Sequence, residues 1–183
     1  MGYAIAAEAA ALGAEVVLVS GPTQLPPPDG VTIVSIETTE QMYRAVKTHF
    51  KKADCLIMAA APADYSVKKP AAQKIKKTGE TLTLELSPTV DILKKVAATK
   101  RTNQIVVGFA LETEIGIANA RAKLNSKNLD LIVLNNPNDT SAAFDHDTNQ
   151  VTLIAPNRTP DAWPLMSKKE VSTRLLARLA KML

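Results

Sequence analysis

The residues best suited to chemistry in this chain follow a short apolar stretch, Cys55–Met58. Small residues come next and lead to a single acid: Ala59, Ala60, Ala61, Pro62, Ala63 and Asp64. Five lysines follow with no acid among them before Glu80: Lys68, Lys69, Lys74, Lys76 and Lys77. Small residues after a strand let a ligand approach the backbone closely, and clustered cations can neutralise a polyanion such as a triphosphate. This arrangement predicts a nucleotide site.

Asp64 is the first candidate for a ligand contact, with a ribose hydroxyl or a metal–triphosphate as its candidate partner. An isolated aspartate at this point is most often a turn or cap residue, but this one lies between the small residues and the lysines. A solvated loop is the usual setting of a lysine run. Within the run we choose Lys74 for contact with reacting groups, although composition alone does not select it from the five.

Other candidates are weaker when judged from the residues alone. Lys123 and Lys127 lie one helical turn apart, where a solvated helix end is the simpler interpretation. A helix is predicted to begin at Val90, Asp91, Ile92 and Leu93, whose free amides could hold an anionic or polar group. Phe109 could pack against a base, but filling the core is the commoner role of such a residue.

The elements that must position these residues alternate between strand and helix. Buried strands are predicted at 15–20, 31–34, 54–58, 104–110, 129–134 and 151–154, and helices at 1–12, 38–52, 88–99, 114–127 and 167–183. Residues 81–86 alternate cleanly and predict a further strand outside the central sheet. The pattern indicates an α/β fold with a mostly parallel sheet, whose ligands bind at the carboxyl ends of the strands. Because the chain opens with a helix, either the fold departs from the doubly wound pattern or a first strand lies upstream of Met1.

Composition removes several other classes of protein. The 183 residues predict one domain, and their scarce aromatic residues argue against single-stranded nucleic-acid binding. Cys55 is the only cysteine and His49 and His146 lie far apart, so a disulfide framework, a Cys-based metal site and a His-based site are not expected. We see no membrane-spanning run or signal peptide, and predict a cytoplasmic protein. Neither Gly-x-Gly-x-x-Gly nor a P-loop motif occurs, so an NAD-dependent oxidoreductase lacks motif support.

Taken in order, several segments resemble the phosphopantothenoylcysteine synthetases. They are the residues 1–6, 14–22, 60–65, 74–77, 107–113 and 127–130. The resemblance covers essentially the whole chain and implies a Rossmann-like, mostly parallel sheet with helices on both faces, plus a flap and dimerisation segment at about 65–88. In bacteria such a domain usually follows a flavin-dependent decarboxylase domain within a bifunctional coenzyme A biosynthesis protein, so FMN is expected only with that fused domain.

The resemblance also implies a reaction and its participants. Bacterial members join 4′-phosphopantothenate to L-cysteine using CTP and Mg²⁺, through an acyl-cytidylate intermediate. Lys74 matches the flap lysine that helps form this intermediate, and Asp64 matches the nucleotide-site aspartate. The remaining positions that match the CTP site are Ala60, Ala61, Val90, Asp91, Ile92, Leu93, Phe109, Lys123 and Lys127. Members are typically homodimers, and no nucleic acid or membrane partner is implied.

The chain departs from the family pattern at two places. The family segment Asn-x-Ser-Ser-Gly-Lys would lie immediately before Met1, so we expect an N-terminally truncated domain that is impaired or inactive by itself. The base-recognising segment reads Ala-Pro-Ala-Asp instead of the commoner Ala-Val-Ala-Asp, which leaves the choice of nucleotide slightly open. The alternative interpretation is therefore a non-catalytic or truncated nucleotide-binding module.

Overall fold

The computed structural model describes residues 1–77, 79, 81–111, 116–135 and 147–183. Some predicted features lie outside the described residues: the helix start at 114, the motif residues Glu112 and Thr113, and His146. The described helices are α1 Gly2–Ala11, α2 Thr39–Phe50, α3 Ile92–Ala97, α4 Gly116–Ser126 and α5 Lys168–Leu179. The described strands are β1 Val16–Ser20, β2 Val31–Ser35, β3 Cys55–Met58, β4 Tyr65–Val67, β5 Leu86–Pro88, β6 Ile105–Leu111, β7 Leu131–Asn135, β8 Thr148–Asn149, β9 Val151–Ile154, β10 Asp161–Ala162 and β11 Met166–Ser167.

The central sheet is mixed but has a parallel core. Its strand order is β10-β9-β7-β6-β3. Strands β3, β6 and β7 run parallel, with Met58 opposite Gly108 and Gly108 opposite Ile132. Strands β9 and β10 extend the sheet in antiparallel fashion, while β1 and β2 form a separate parallel pair. The predicted α/β class is confirmed, and β9 lies next to the edge strand β10.

Helices cover both faces of this sheet because the side chains of a strand alternate between its faces. On one face Val106 of β6 packs with residues of α2, α3 and α4, such as Val46 and Leu124. On the other face Val107 packs with residues of α1 and α5, such as Leu175. The prediction of helices on both faces is confirmed.

Capping boxes lie at two of the predicted helix starts. Thr38 Oγ1 accepts a hydrogen bond from the Gln41 N–H at 3.2 Å, and the Gln41 side chain accepts one from the Thr38 N–H at 3.0 Å. Ser167 and Glu170 make the same reciprocal pair at the start of α5. Each box satisfies backbone donors that the helix itself leaves unpaired.

Two predicted boundaries between β3 and β6 are wrong. The strand expected at 81–86 is displaced: β5, which pairs in antiparallel fashion with β4, spans Leu86–Pro88 and shares only Leu86 with the prediction. Residues 81–84 have no ladder partner in the described part of the chain. The helix expected from residue 88 begins at Ile92, because Asp91 is its N-cap. Pro88 is consequently a strand residue, and residues 89 and 90 form a short connection.

An acidic side chain ties the N-terminal ends of β6 and β7 together. Asp130 Oδ2 accepts a hydrogen bond from the Val106 N–H at 2.7 Å, and Asp130 Oδ1 lies 2.6 Å from Lys100 Nζ. Both side chains of this ion pair are mostly buried. This link lies at the edge of the sheet opposite to the carboxyl ends of the strands, so it supports the fold and not the candidate site.

Cys55 lies in β3 and is half-buried against the core of α1 and α5. Burial, and to a smaller extent the negative charges of Asp130 and Asp54, together raise the pKa of its thiol to about 12. None of the helices in the described residues is both long and apolar enough to cross a membrane.

Candidate nucleotide-binding site

The small-residue loop 59–64 follows β3 at the carboxyl end of the parallel strands, where open α/β sheets bind their ligands. Ala60, Ala61 and Asp64 are all exposed. Within the described residues the Asp64 carboxylate makes no hydrogen bond or ion pair. The Asp64 backbone carbonyl, in contrast, accepts a hydrogen bond from the Thr89 N–H. The loop therefore presents open backbone and one uncommitted carboxylate.

Thr89 joins this loop to the connection before α3. Its hydroxyl donates a hydrogen bond to the Ala63 carbonyl oxygen at 2.6 Å, and its backbone N–H donates one to the Asp64 carbonyl oxygen at 2.8 Å. The sequence reasoning missed Thr89 because it placed the residue inside a helix. Recognition of Asp91 as an N-cap would have left Thr89 in the extended segment before the helix.

Asp91 and Lys127, which the resemblance assigns to the CTP site, lie next to each other. Lys127 Nζ lies 2.9 Å from Asp91 Oδ2, while Asp91 Oδ1 accepts a hydrogen bond from the Lys94 N–H at 3.0 Å. Partial burial alone would raise the pKa of Asp91, but the hydrogen bonds from Lys127 and the Lys94 N–H, with the charges of both lysines, together lower this pKa. Asp91 is consequently a carboxylate at neutral pH, and it holds the ammonium group of Lys127 at the start of α3.

Leu93 lies against β6 because residue 108 is a glycine. A Cβ atom added at Gly108 would lie 2.9 Å from Leu93 Cδ2 and 3.0 Å from Leu129 Cδ1. Real Cβ atoms are essentially never found less than 3.0 Å from a neighbouring atom. The missing side chain therefore lets the 90–93 turn pack directly on the central sheet.

Phe109 and Lys123 lie near these residues in sequence but differ in setting. The half-buried Phe109 packs with the core of α1 and α5, so its ring lies on the face of the sheet opposite to α3 and α4. This position agrees with a core role for the ring. Lys123 is exposed one turn before Lys127, and its carbonyl oxygen accepts the Lys127 N–H at 3.0 Å.

The lysine-rich segment extends from the β4–β5 hairpin. Lys68 forms an exposed ion pair with Glu85 across the hairpin, and the Lys68 N–H donates to the Glu85 carbonyl oxygen. Lys74 is exposed in an irregular stretch. Within the described residues, no hydrogen bond or ion pair joins it to the rest of the candidate site. In the described part of the chain, Lys74 is therefore not tied to the loop 59–64 by a polar contact.

Apolar side chains of the hairpin and its continuation are exposed as well. We call them the flap patch: Tyr65, Val67, Ile75, Leu82, Leu84 and Leu86, with exposures from 37% to 65%. The alternation of residues 81–86 predicted a strand outside the central sheet, but nothing in the described residues covers these apolar side chains. An exposed apolar cluster of this kind usually marks an interaction surface.

Two open cavities lie on the described part of the surface. The larger, of about 630 Å³, is at the ends of β1 and β2 and is lined by residues such as Tyr3, Ser20 and Gln41. The smaller, of about 450 Å³, lies between the start of α2 and the hairpin base. Of the predicted site residues only Val90 lines it, beside Glu37 and Glu40. These carboxylates would repel a triphosphate, so neither cavity replaces the loop and turn as the candidate site.

The side chains of the candidate site can contribute only part of the ligands of a divalent cation. The described residues contain no group of three or more His, Cys, Asp or Glu side chains that could hold a metal by themselves. Mg²⁺ in nucleotide enzymes is commonly held by one or two carboxylates together with substrate phosphates and water. The exposed carboxylate of Asp64 fits such a shared site.

The sequence model for the DNA/pantothenate metabolism flavoprotein C-terminal domain matches residues 1–183. The chain belongs to this family. It is 42% identical over 181 residues to the Coenzyme A biosynthesis bifunctional protein CoaBC of Bacillus subtilis, covering 98% of the chain and 44% of that relative. It is 39% identical over 180 residues to a Cysteine/Cysteine sulfinic acid decarboxylase from an unknown prokaryote, covering 98% of the chain and 50% of that relative.

A solved member of the family has the same fold. The crystal structure of the C-terminal domain of Coenzyme A biosynthesis bifunctional protein CoaBC is 39% identical to the chain, with a TM-score of 0.83. The match covers 99% of the chain and 81% of that structure. The chain spans about half the length of the curated relatives it matches.

Proposed function

We propose that this domain performs the synthetase reaction of coenzyme A biosynthesis, the CTP-dependent ligation of 4′-phosphopantothenate to L-cysteine. The observation that carries the proposal is the identity of about two residues in five with bifunctional CoaBC proteins and with the solved CoaBC C-terminal domain, across nearly the whole chain. The local geometry is compatible with it, because residues that match the CTP site meet at Asp91 and Lys127.

The proposed reaction has two balanced steps. The carboxylate of 4′-phosphopantothenate attacks the α-phosphorus of CTP, so an acyl-cytidylate forms and pyrophosphate leaves. The amine of cysteine then attacks the acyl carbon, loses a proton and displaces CMP, which gives 4′-phosphopantothenoylcysteine. Activation is needed because a carboxylate oxygen is a poor leaving group, whereas CMP is a good one.

Specific residues would divide the work of binding. Open backbone at Ala60 and Ala61 would recognise the base, and Asp64 would bind the ribose or share in holding Mg²⁺. Lys127, held at the start of α3 by Asp91, would bind a nucleotide phosphate together with Lys123. These positions lie at the carboxyl edge of the sheet or on α3 and α4, which pack on one of its faces.

Electrostatics is the main task of the site because two anions must approach each other. Cations placed where negative charge gathers lower the barrier to such a step. Lys74 and its neighbours Lys69, Lys76 and Lys77 make no ion pair within the described residues, so closure of the flap would bring uncommitted positive charge to the reacting groups. Mg²⁺, held by Asp64 and the phosphates, would add charge neutralisation.

The flap patch supports a second proposal, that the protein is a homodimer. Tyr65, Leu82 and Leu84 are more than half exposed, and pairing with a second copy would remove such side chains from water. FMN would belong to a decarboxylase domain fused upstream, as the length of the relatives suggests. Sedimentation velocity of the complete gene product tests the dimer, and a monomer at micromolar concentration would contradict it.

The proposed reaction is tested by pyrophosphate release from the complete gene product. CTP, or ATP for comparison, is supplied with Mg²⁺ and with or without 4′-phosphopantothenate, and cysteine is then added. Release that requires 4′-phosphopantothenate, followed by ligation when cysteine is present, supports the synthetase. CTP binding without turnover would favour a non-catalytic nucleotide-binding module. No nucleotide binding would overturn both interpretations.

A further inference from the structure

Thr89 makes both hydrogen bonds that join the loop 59–64 to the segment leading into α3, within the described residues. Its hydroxyl reaches the Ala63 carbonyl oxygen at 2.6 Å and its N–H reaches the Asp64 carbonyl oxygen at 2.8 Å. The two acceptors are successive peptide groups of the loop that carries Asp64. One residue therefore fixes both the separation and the orientation of the loop.

The N–H bond continues an existing ladder, but the hydroxyl bond is an addition to it. Tyr65 pairs with Pro88 at the base of the β4–β5 hairpin, and the Thr89 N–H bond to Asp64 adds one further rung. The hydroxyl bond to Ala63 reaches one residue further, into the small-residue loop. Removal of the hydroxyl would therefore free the loop while leaving the hairpin paired.

We propose that Thr89 is a positioning residue for the nucleotide. Its hydroxyl holds the base-recognising loop at a set distance from the Val90–Leu93 turn. A nucleotide that contacts Ala60 and Asp64 on one side and Lys127 on the other must span these two segments. Correct placement before binding lowers the ordering that the nucleotide must impose. This inference rests on the proposed function and adds to it a residue that increases the affinity for the nucleotide.

The position of Thr89 separates this role from a purely structural one. The two residues joined by the hydroxyl bond, Ala63 and Thr89, belong to neither of the two buried cores. The loss of one hydrogen bond between a hydroxyl and a peptide carbonyl near the surface changes a free energy modestly. The loop is therefore expected to shift while the domain remains folded.

The test uses Thr89→Val, which keeps the branched shape and the backbone N–H but removes the hydroxyl. Thr99→Val is the matched control, because the Thr99 hydroxyl donates a bond of 2.9 Å to the Val96 carbonyl oxygen within its own helix end. In the complete gene product, Thr89→Val should raise the KM for CTP roughly three- to tenfold, as expected for one hydrogen bond. The KM for cysteine and the melting temperature should match those of Thr99→Val, and Thr89→Ser should restore the KM for CTP.

Several results would overturn the inference. The KM for CTP could stay within about twofold of the wild-type value, or Thr89→Ser could fail to restore it. Equal increases in the KM for CTP and for cysteine, together with a lower melting temperature than that of Thr99→Val, would indicate general loosening instead. A wild-type protein without CTP-dependent pyrophosphate release would instead refute the proposed function, so the two failures are distinguishable.

Discussion

Gly108 is the position where a single methyl group should disturb the fold and the candidate site together. In Gly108→Ala the new Cβ atom would lie 2.9 Å from Leu93 Cδ2 and 3.0 Å from Leu129 Cδ1. Leu93 is only partly buried and belongs to the 90–93 turn, so it can move toward solvent. Leu129 is 4% exposed in the core of α2, α3 and α4, so it has little room to yield.

The size of the effect follows from this difference. Overpacking of a well-filled core typically destabilises a protein by about 1–3 kcal/mol. Because Leu93 can yield, we expect a loss near the lower half of this range, about 1–2 kcal/mol of unfolding free energy. Displacement of Leu93 should also shift the 90–93 turn and raise the KM for CTP.

Stability is best measured by pulsed hydrogen exchange across a urea series in the complete gene product, read on peptides from β6 and α3. This readout reports the domain itself even when another domain is fused to it. Gly21→Ala is the matched control, because a Cβ atom there meets only Ile36 Cδ1 at 4.0 Å. If Gly108→Ala is as stable as Gly21→Ala within about 0.5 kcal/mol, the reasoning that Leu129 is fixed is refuted.

Three further changes test other parts of the description. Lys74→Gln should slow pyrophosphate release while CTP affinity stays largely intact, and Lys76→Gln is its control; equal rates for Lys74→Gln and wild type would show that another lysine acts. Asp91→Asn should lower the urea midpoint near pH 7, and its difference from the wild type should shrink as the pH falls below the ordinary aspartate pKa of about 3.9. The pKa of Asp91 is lower in the folded than in the unfolded protein, so its stabilisation is full above the unfolded value and is lost as pH falls through the folded value. A midpoint difference that does not shrink as the pH is lowered would contradict this. Asp130→Asn should reduce the unfolding free energy by about 1–3 kcal/mol because its carboxylate accepts two hydrogen bonds, whereas Glu40→Gln, which removes an exposed ion pair, should change it by less than about 0.5 kcal/mol; similar losses would refute the distinction.

Sequence patterns were reliable where the controlling interactions are local. The pairs Thr38–Gln41 and Ser167–Glu170 fixed two helix starts, because a capping box involves residues only three positions apart. The alternation at 81–86 misled because a strand also needs a partner for its backbone, which periodicity does not reveal. The helix start near Pro88 failed for a related reason: Asp91 was taken for a first-turn residue when it is the cap.

The contacts within the candidate site were harder to predict because they join distant segments. Spacing alone assigned Lys127 to a solvated helix end, whereas its partner Asp91 is the N-cap of another helix. Only the resemblance placed both at one site. No sequence motif pointed to Thr89. Its importance comes from its bonds to two carbonyl oxygens in the loop that precedes the hairpin in the chain, whereas Thr89 follows the hairpin.

The buried thiol of Cys55 has a practical consequence for work on this protein. The proposed reaction consumes cysteine, which is conveniently followed with a thiol-specific chromophore. Since the pKa of Cys55 is raised to about 12 and the thiolate is the reactive form, on the order of one thiol in ten thousand would be ionised near pH 8. Fast colour development would therefore measure the substrate, and any slow phase from this chain would measure how often β3 opens to solvent.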